Sequence, residues 1–444
     1  MNGKLRFPWI MIFGLIMVLA VSVASWAAEG SENPFSLADC LQYASRNSEK
    51  LKSAALAVAQ SRQELRQALA GRWPTLGYDL YRTDIEQSGI EYTKNYQAFS
   101  VTQNLFTGGK LSAGIKQARL QLANAREDER QVKQQLTYDV KQAYYQMWLA
   151  MQKLTVARAA YDNMEKHFHN ISKKYQEGLV PLIELLQAEV NWRKLKPDVI
   201  AAQNEIASYR SNLALLIGKQ EGRELAIEGD AWLQITPQPS AVTFPDALTV
   251  AYRERPELRR MQNNIELAQA GVTIARSGYY PTLALSDTYE NDKYDPSSYG
   301  GSEIWVLKLD LSGTLFNGFA TQAKVAAAKI ALQKQLSNEQ QLKNEIRLKL
   351  EQVYQSLEES METVAVNRAT HDLAAESLRL TQIKRDEGLA TNTDLLDAQL
   401  DADEALNGYY NGICNYLVAL ANLDLVLGKD ADEANKKEGT EIYE

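Results

Sequence analysis

Cysteine, histidine and proline are all scarce in this chain of 444 residues, and basic charge is in deficit. The two cysteines, Cys40 and Cys414, exclude a disulfide scaffold, a cysteine-rich zinc site and a CxxC redox centre. Three histidines leave little material for a metal site, and His167 and His169, two apart on a helix, point to different sides. With 48 Lys and Arg against 56 Asp and Glu the net charge is −8, which argues against a nucleic-acid partner. A mean hydropathy of −0.36 excludes a bundle of membrane-spanning helices. Gly and Pro, 24 and 11, are too few for a disordered or collagen-like chain. There is no Gly-rich phosphate loop, no GxSxG and no HExxH, so no enzyme, catalytic residue, metal or cofactor is expected.

One strongly apolar run is present. Lys4 and Arg6 precede an uncharged stretch from Phe7 to Ala28, and Ser25-Trp26-Ala27 supplies small residues at a cleavage site. Basic, apolar, then small-x-small is the order of a secretory signal peptide, here residues 1–27. Cleavage after Ala27 leaves 417 residues (444 − 27) and a charge of about −10. Leu37-Ala38-Asp39-Cys40 superficially resembles a lipoprotein cleavage site, but helix follows it, so Cys40 is read as a helix residue.

The rest of the chain is written twice. Trp73-Pro74-Thr75-Leu76 returns as Tyr280-Pro281-Thr282-Leu283 at an offset of 207. Asn104-Leu105-Phe106-Thr107-Gly108 returns as Thr314-Leu315-Phe316-Asn317-Gly318 at 210. Glu177-Gly178-Leu179 returns as Glu387-Gly388-Leu389, and Leu216-Ile217-Gly218-Lys219 as Val426-Leu427-Gly428-Lys429. Collinear matches at this spacing mark two copies of one module, too long for a solenoid repeat. The first module is expected over 28–219, with helices in 36–72, strands 74–86 and 95–107, and a helical hairpin 109–217. A linker of 220–243 follows, expected at the equator of the molecule. The second module is expected over 244–429, with helices in 245–278, strands 281–291 and 302–316, and a hairpin 319–427, before a charged tail of 430–444.

Each hairpin begins with a heptad-like stripe. Apolar or small residues recur in steps of three and four from Leu111 to Ile171 for about nine heptads, which predicts a coiled-coil helix ~100 Å long. Helices stop at Gly178 and Gly388, and new ones start at once, with Pro181 in a first turn or Thr391 as N-cap. So short a connection makes each pair antiparallel. Pro197 interrupts the first returning helix where the second has Asn407, which predicts a kink in one copy only.

The strands alternate. Trp305, Leu307, Leu309, Leu311 and Leu315 oppose Lys308, Asp310, Ser312 and Thr314; Phe99, Val101 and Leu105 oppose Ser100, Thr102 and Asn104. Apolar-out, polar-in strands fit a transmembrane β-barrel, with Trp73, Tyr92, Tyr96, Tyr279, Tyr280, Tyr289 and Tyr299 as girdle aromatics. Four strands cannot close in lipid, so closure requires more copies: eight strands from two chains, twelve from three. A conducting pore favours three or more, because eight strands are filled by their own side chains.

These features resemble the TolC-type outer membrane efflux protein family over essentially the whole mature chain. The carriers are the Pro-Thr-Leu strand starts at Pro74 and Pro281 and the run Asn104-Leu105-Phe106-Thr107-Gly108-Gly109, with Gly318 as its second-copy counterpart. Glu177-Gly178-Leu179-Val180-Pro181 and Asn422-Leu423-Asp424-Leu425-Val426-Leu427-Gly428 complete them. The resemblance implies a mainly α fold with transmembrane β: long antiparallel coiled-coil helices forming an α-helical tunnel, and four strands per chain in a 12-stranded barrel of a homotrimer. It implies an outer-membrane exit duct that docks on a periplasmic adaptor and an inner-membrane pump. It also implies a carboxylate-lined entrance at the hairpin tips, which on this chain falls to Asp394, Asp397 and the first-copy Glu184. Asp394 can equally complete a capping box with Thr391. The tip turns Gly178-Leu179-Val180 and Gly388-Leu389-Ala390 are small apolar surfaces for adaptor docking, or simply helix ends. The competing readings are a periplasmic adaptor, which needs one hairpin rather than two, and a poreless coiled-coil protein of the envelope.

Overall fold

The computed structural model describes residues 34–219, 225–228, 235–240, 242–295 and 297–429. The signal-peptide reading, the charged tail and parts of the linker lie outside these residues. Mainly α with a four-stranded antiparallel sheet, the fold is of the class read from the sequence.

Each copy starts with two helices broken at one residue. Helix α1 (Leu37–Asn47) opens on a capping box between Ser36 and Asp39 and ends where Ser48 leaves helical geometry at ψ 122°. Helix α2 (Glu49–Ala70) follows; in the second copy α6 (Phe244–Glu254) and α7 (Pro256–Ser277) break at Arg255, ψ 127°. Two strands come next, β1 (Thr75–Gln87) and β2 (Ile90–Phe106), then the long α3 (Lys110–Gln176). Helices α4 (Leu182–Arg193) and α5 (Lys196–Ile217) return alongside it. The second copy has β3 (Thr282–Asp295), β4 (Gly301–Ser312), α8 (Ala320–Asp386) and one unbroken returning helix, α9 (Asn392–Leu427). Both long helices have 67 residues.

Several boundaries differ from the sequence reading; β3, for one, runs on to Asp295 rather than ending at 291. β2 starts at Ile90 rather than 95, because Ser88 (φ 56°) and Gly89 (φ 79°) make a tight turn that zips β1 to β2 through polar residues. β4 stops at Ser312 rather than 316, so Thr314, Leu315 and Phe316 are outside the sheet; Gly313 there abuts Pro281. Pro181 is the N-cap of α4 rather than a first-turn residue, at ψ 159°.

The core sits halfway along the long helices. Tyr144, Met147 and Trp148 of α3 pack with Leu213 and Ile217 of α5, Leu350 and Leu357 of α8, and Ile413, Leu417 and Leu427 of α9. Trp148 meets Tyr410 edge-on at 6.0 Å, tying the first module to the second. The inter-module segment is held here too: Leu225 and Ile227 are buried, and Phe35 bridges Ile227 in parallel. Tyr144 Oη donates to the Phe35 carbonyl (3.1 Å) and Tyr354 Oη to that of Val242 (2.7 Å). Cys40 and Cys414 are both free, buried in this region, with thiols pushed up by burial to about 12 and about 11.

Candidate functional site

The sheet runs β1-β2-β3-β4, so β2 and β3 join the two modules and β1 and β4 are its edges. Directly opposed residues share a face. Tyr78, Phe99, Tyr289 and Trp305 line up across all four strands, and so do Leu76, Val101, Asp287 and Leu307. Below them Leu285 opposes Leu309 and Leu283 opposes Leu311. These rows form one continuous apolar face, exposed at Leu76, Tyr78, Phe99, Trp305, Leu307, Leu309 and Leu311, with Asp287 the one carboxylate within them and Glu303, in the next row outward, accepting from Tyr289 Oη. An exposed apolar sheet face of this extent is what a lipid-facing surface requires.

The opposite face is polar. It carries Asp79, Glu290, Asp292 and Asp310 against Lys94 and Lys308. Lys94 pairs with Asp292 at 3.1 Å, and Tyr81 stacks on Tyr96 at 4.5 Å. Tyr92 and Tyr96 therefore belong to the polar face and not to an aromatic girdle. Leu105 also departs from its expected face: a bulge between Asn104 and Phe106 puts Phe106, not Leu105, opposite Leu283. The aromatic level at Tyr78 and Trp305 is matched at the helix end of the sheet by exposed Trp73, Phe106, Tyr279, Tyr280 and Phe316.

Pro74 and Pro281 immediately precede β1 and β3. Gly108 (φ 60°), Gly109 (φ 87°) and Gly318 (φ 63°) make the strand-to-helix turns. At Gly108 a Cβ would lie 2.9 Å from the Ser277 carbonyl oxygen, so the turn is pressed against the end of α7. The second copy puts Phe319, at φ 65°, where the first has Gly109.

At the far end both hairpin tips close alike. Gly178 N–H donates to the Tyr175 carbonyl (3.0 Å) and Leu179 N–H to that of Lys174 (2.9 Å), with Gly178 at φ 74°. Gly388 and Leu389 repeat this on Arg385 and Lys384, at φ 75°. Both are Schellman closures, which require a left-handed residue, and they leave Leu179 and Leu389 exposed beside half-buried Val180 and Ala390.

Asp394 caps α9. Its Oδ2 accepts from Thr391 N–H (2.8 Å) and Oγ1 (2.7 Å), while its own N–H donates to Thr391 Oγ1 (3.2 Å). These bonds to Thr391 hold its carboxyl below the usual range. Glu184 has no such partner at the α4 cap, because Pro181 offers neither a hydroxyl nor an N–H. Asp397 is exposed one turn beyond Asp394, and exposed Asp401 continues the stripe, a position the sequence reading missed although its i+7 spacing was visible. Nearby Asp403 is half-buried, its carboxyl pushed up to about 6 by burial. His167 is held below its usual range by burial and then by Arg385 and Lys174, while His169 lies against Trp192; the described residues contain no cluster able to hold a metal.

A family model described as outer membrane efflux protein matches residues 40–219 and 247–429. The probable outer membrane lipoprotein SilC of Salmonella typhimurium is 24% identical over 66% of this chain and 64% of its own length. The cation efflux system protein CusC of Escherichia coli K12 is 22% identical over 84% of this chain and 77% of its own. The alkaline protease secretion protein AprF of Pseudomonas aeruginosa is 25% identical over 82% and 75%. A crystal structure of CusC superposes with a TM-score of 0.78 at 18% identity, covering 88% of this chain and 92% of that one.

Proposed function

The chain belongs to the outer membrane efflux protein family, and from that premise we propose that it is a passive exit duct of the outer membrane, working as a homotrimer. The observation that carries this reading is the sheet: four long strands, one apolar face, one polar face and two edges. Three copies pair β4 of each with β1 of the next, giving twelve strands and no edge in lipid. The apolar face then meets outer-membrane lipid and the polar face lines a water-filled bore. The long helices continue that bore through the periplasm as a tunnel.

The chain supplies no chemical step of its own; a periplasmic adaptor delivers cargo and an inner-membrane pump drives it. CusC is named for cation efflux and AprF for protease secretion, so the cargo is set by the pump rather than by the duct. Leu179 and Leu389, with Val180, Ala390 and the Gly178 and Gly388 turns, are the adaptor-docking surface. Asp394 and Asp397 line the periplasmic entrance, where three copies stack two rings of carboxylates, with Glu184 contributing from the other hairpin. The cap and the entrance role coexist at Asp394, because a capping carboxylate keeps its charge. In planar bilayers, Asp394→Asn with Asp397→Asn is expected to weaken divalent-cation block of the single-channel current severalfold. Block unchanged from the parent channel would remove the entrance assignment and leave Asp394 as a cap alone.

A further inference from the structure

The polar face of the sheet holds a side-chain cluster that pairing β4 to β1 does not use. Lys94 of β2 places its ammonium among two rings and a carboxylate. The Tyr96 centroid lies 5.3 Å away, the Tyr294 centroid 5.9 Å and Asp292 Oδ2 3.1 Å. Both rings are within the range at which a cation is attracted to an aromatic face. Each ring is held in turn by another: Tyr81 stacks on Tyr96 at 4.5 Å with the planes 20° apart, and Tyr92 lies tilted against Tyr294 at 5.8 Å. Asp292 Oδ2 also accepts from Ser302 Oγ (3.5 Å), while Asp292 Oδ1 is buried without a hydrogen-bond partner. Asp292 lies three residues beyond Tyr289, ~10 Å along β3 toward the Ser88-Gly89 turn, so the cluster faces the outer end of the bore.

Joining the strands does not require this cluster. The repeat-equivalent positions are Ile304 and Val306 (94 + 210, 96 + 210) with Ile85 and Gln87 (292 − 207, 294 − 207), which carry neither charge nor ring. Lys308, the other lysine of the polar face, pairs with Asp310 of its own strand (2.7 Å) and keeps 62% of its side chain exposed, against 23% for Lys94. Two aromatic rings and a carboxylate drawn from two strands onto one ammonium are the parts of an ammonium-binding cage. Here the ammonium belongs to the protein. Its removal would leave a carboxylate whose side chain is only 16% exposed without its counter-charge, a costly state unless another cation takes the place.

We propose that Tyr96, Tyr294 and Asp292 form a binding site for organic ammonium cations at the outer end of the bore, and that Lys94 fills it as a tethered ligand. This rests on the duct reading, which puts the polar face in water, and gives each trimer three such sites. A passing cation must displace an ammonium that cannot diffuse away, so the exit does not retain cationic cargo. Conduction requires sites weak enough to leave as well as favourable enough to enter.

Lys94→Ala and Lys94→Thr empty the cage, whereas Lys94→Met keeps it filled without charge. Tetramethylammonium is the probe, applied to single channels in planar bilayers. It is expected to lower the conductance of both emptied variants at about a tenfold lower concentration than it needs with the parent channel. Lys94→Met is expected to stay close to the parent, and adding Tyr96→Leu or Asp292→Asn to Lys94→Ala to abolish the gain. Equal sensitivity in Lys94→Met and Lys94→Ala would mean that loss of a positive charge from the bore is sufficient. Parent-like sensitivity in both emptied variants would mean that no cage opens. Either result overturns the site while conducting channels leave the duct standing. Failure of both emptied variants to form trimers would assign the cluster to holding β2 on β3 and overturn the site as well. A parent protein that conducts nothing overturns the duct itself.

Discussion

Gly218 and Gly178 end helices with nearly the same backbone, φ 78° and 74°, but in different surroundings. A Cβ at Gly218 would stand 2.7 Å from the Asn47 carbonyl oxygen, whereas nothing lies within 4 Å of one at Gly178. The pair therefore separates left-handed strain from close approach. Gly178→Ala is expected to cost about 1 kcal/mol, the strain alone. Gly218→Ala adds displacement of backbone at the α1–α2 break and is expected to cost about 3 kcal/mol or more. Thermal unfolding of the two variants side by side checks the ordering; equal losses would mean that the α1–α2 break yields freely. Both glycines were legible in the sequence as helix stops. Their different weights were not, because the oxygen that decides the matter comes from a residue 171 positions away (218 − 47).

Pro197 decides the difference between the two returning helices. It has no N–H to donate, and the chain breaks between α4 and α5 at Lys194 and Leu195, while α9 passes Asn407 without interruption. Pro197→Ala is expected to join α4 and α5 into one helix like α9. Hydrogen exchange reads this directly: amides at 194–196 and 198–199 should slow by tenfold or more, and unchanged exchange would assign the break to the aromatic packing of Trp192 on Phe168 instead. Helix lengths and this break were legible because heptad spacing, glycine stops and proline are local signals. The strands were less so. Alternation placed Leu307, Leu309 and Leu311 on one face, yet it put Tyr92 and Tyr96 in the girdle and Leu105 on the apolar side. Pairing register and the Asn104–Phe106 bulge settle those positions, and both are properties of two strands rather than one.

At the scale of the whole molecule, duplication is what makes the sequence readable as an assembly. Each copy offers two strands with a preferred face, and the shared facing pattern means that joining copies extends one sheet with one lipid side. That side should be intolerant of charge. Leu307 lies on the apolar face of the edge strand β4, opposite Asp287, and Val306 lies beside it on the polar face opposite Thr288. Asp287, directly opposite, can pair with an introduced guanidinium and offsets part of its desolvation cost without removing it. Leu307→Arg is expected to cost roughly 2–4 kcal/mol near the bilayer midplane, and Val306→Arg close to nothing, because its side chain enters the water-filled bore. The measurement is the yield of heat-modifiable trimer in the outer-membrane fraction: lost for Leu307→Arg, kept for Val306→Arg. Val306→Arg should in addition lower conductance for cations, since it offsets the acidic excess of Asp79, Glu290, Asp292 and Asp310 on the polar face. If the two variants assemble equally well, the apolar face does not meet lipid, and the sheet must be covered by protein instead.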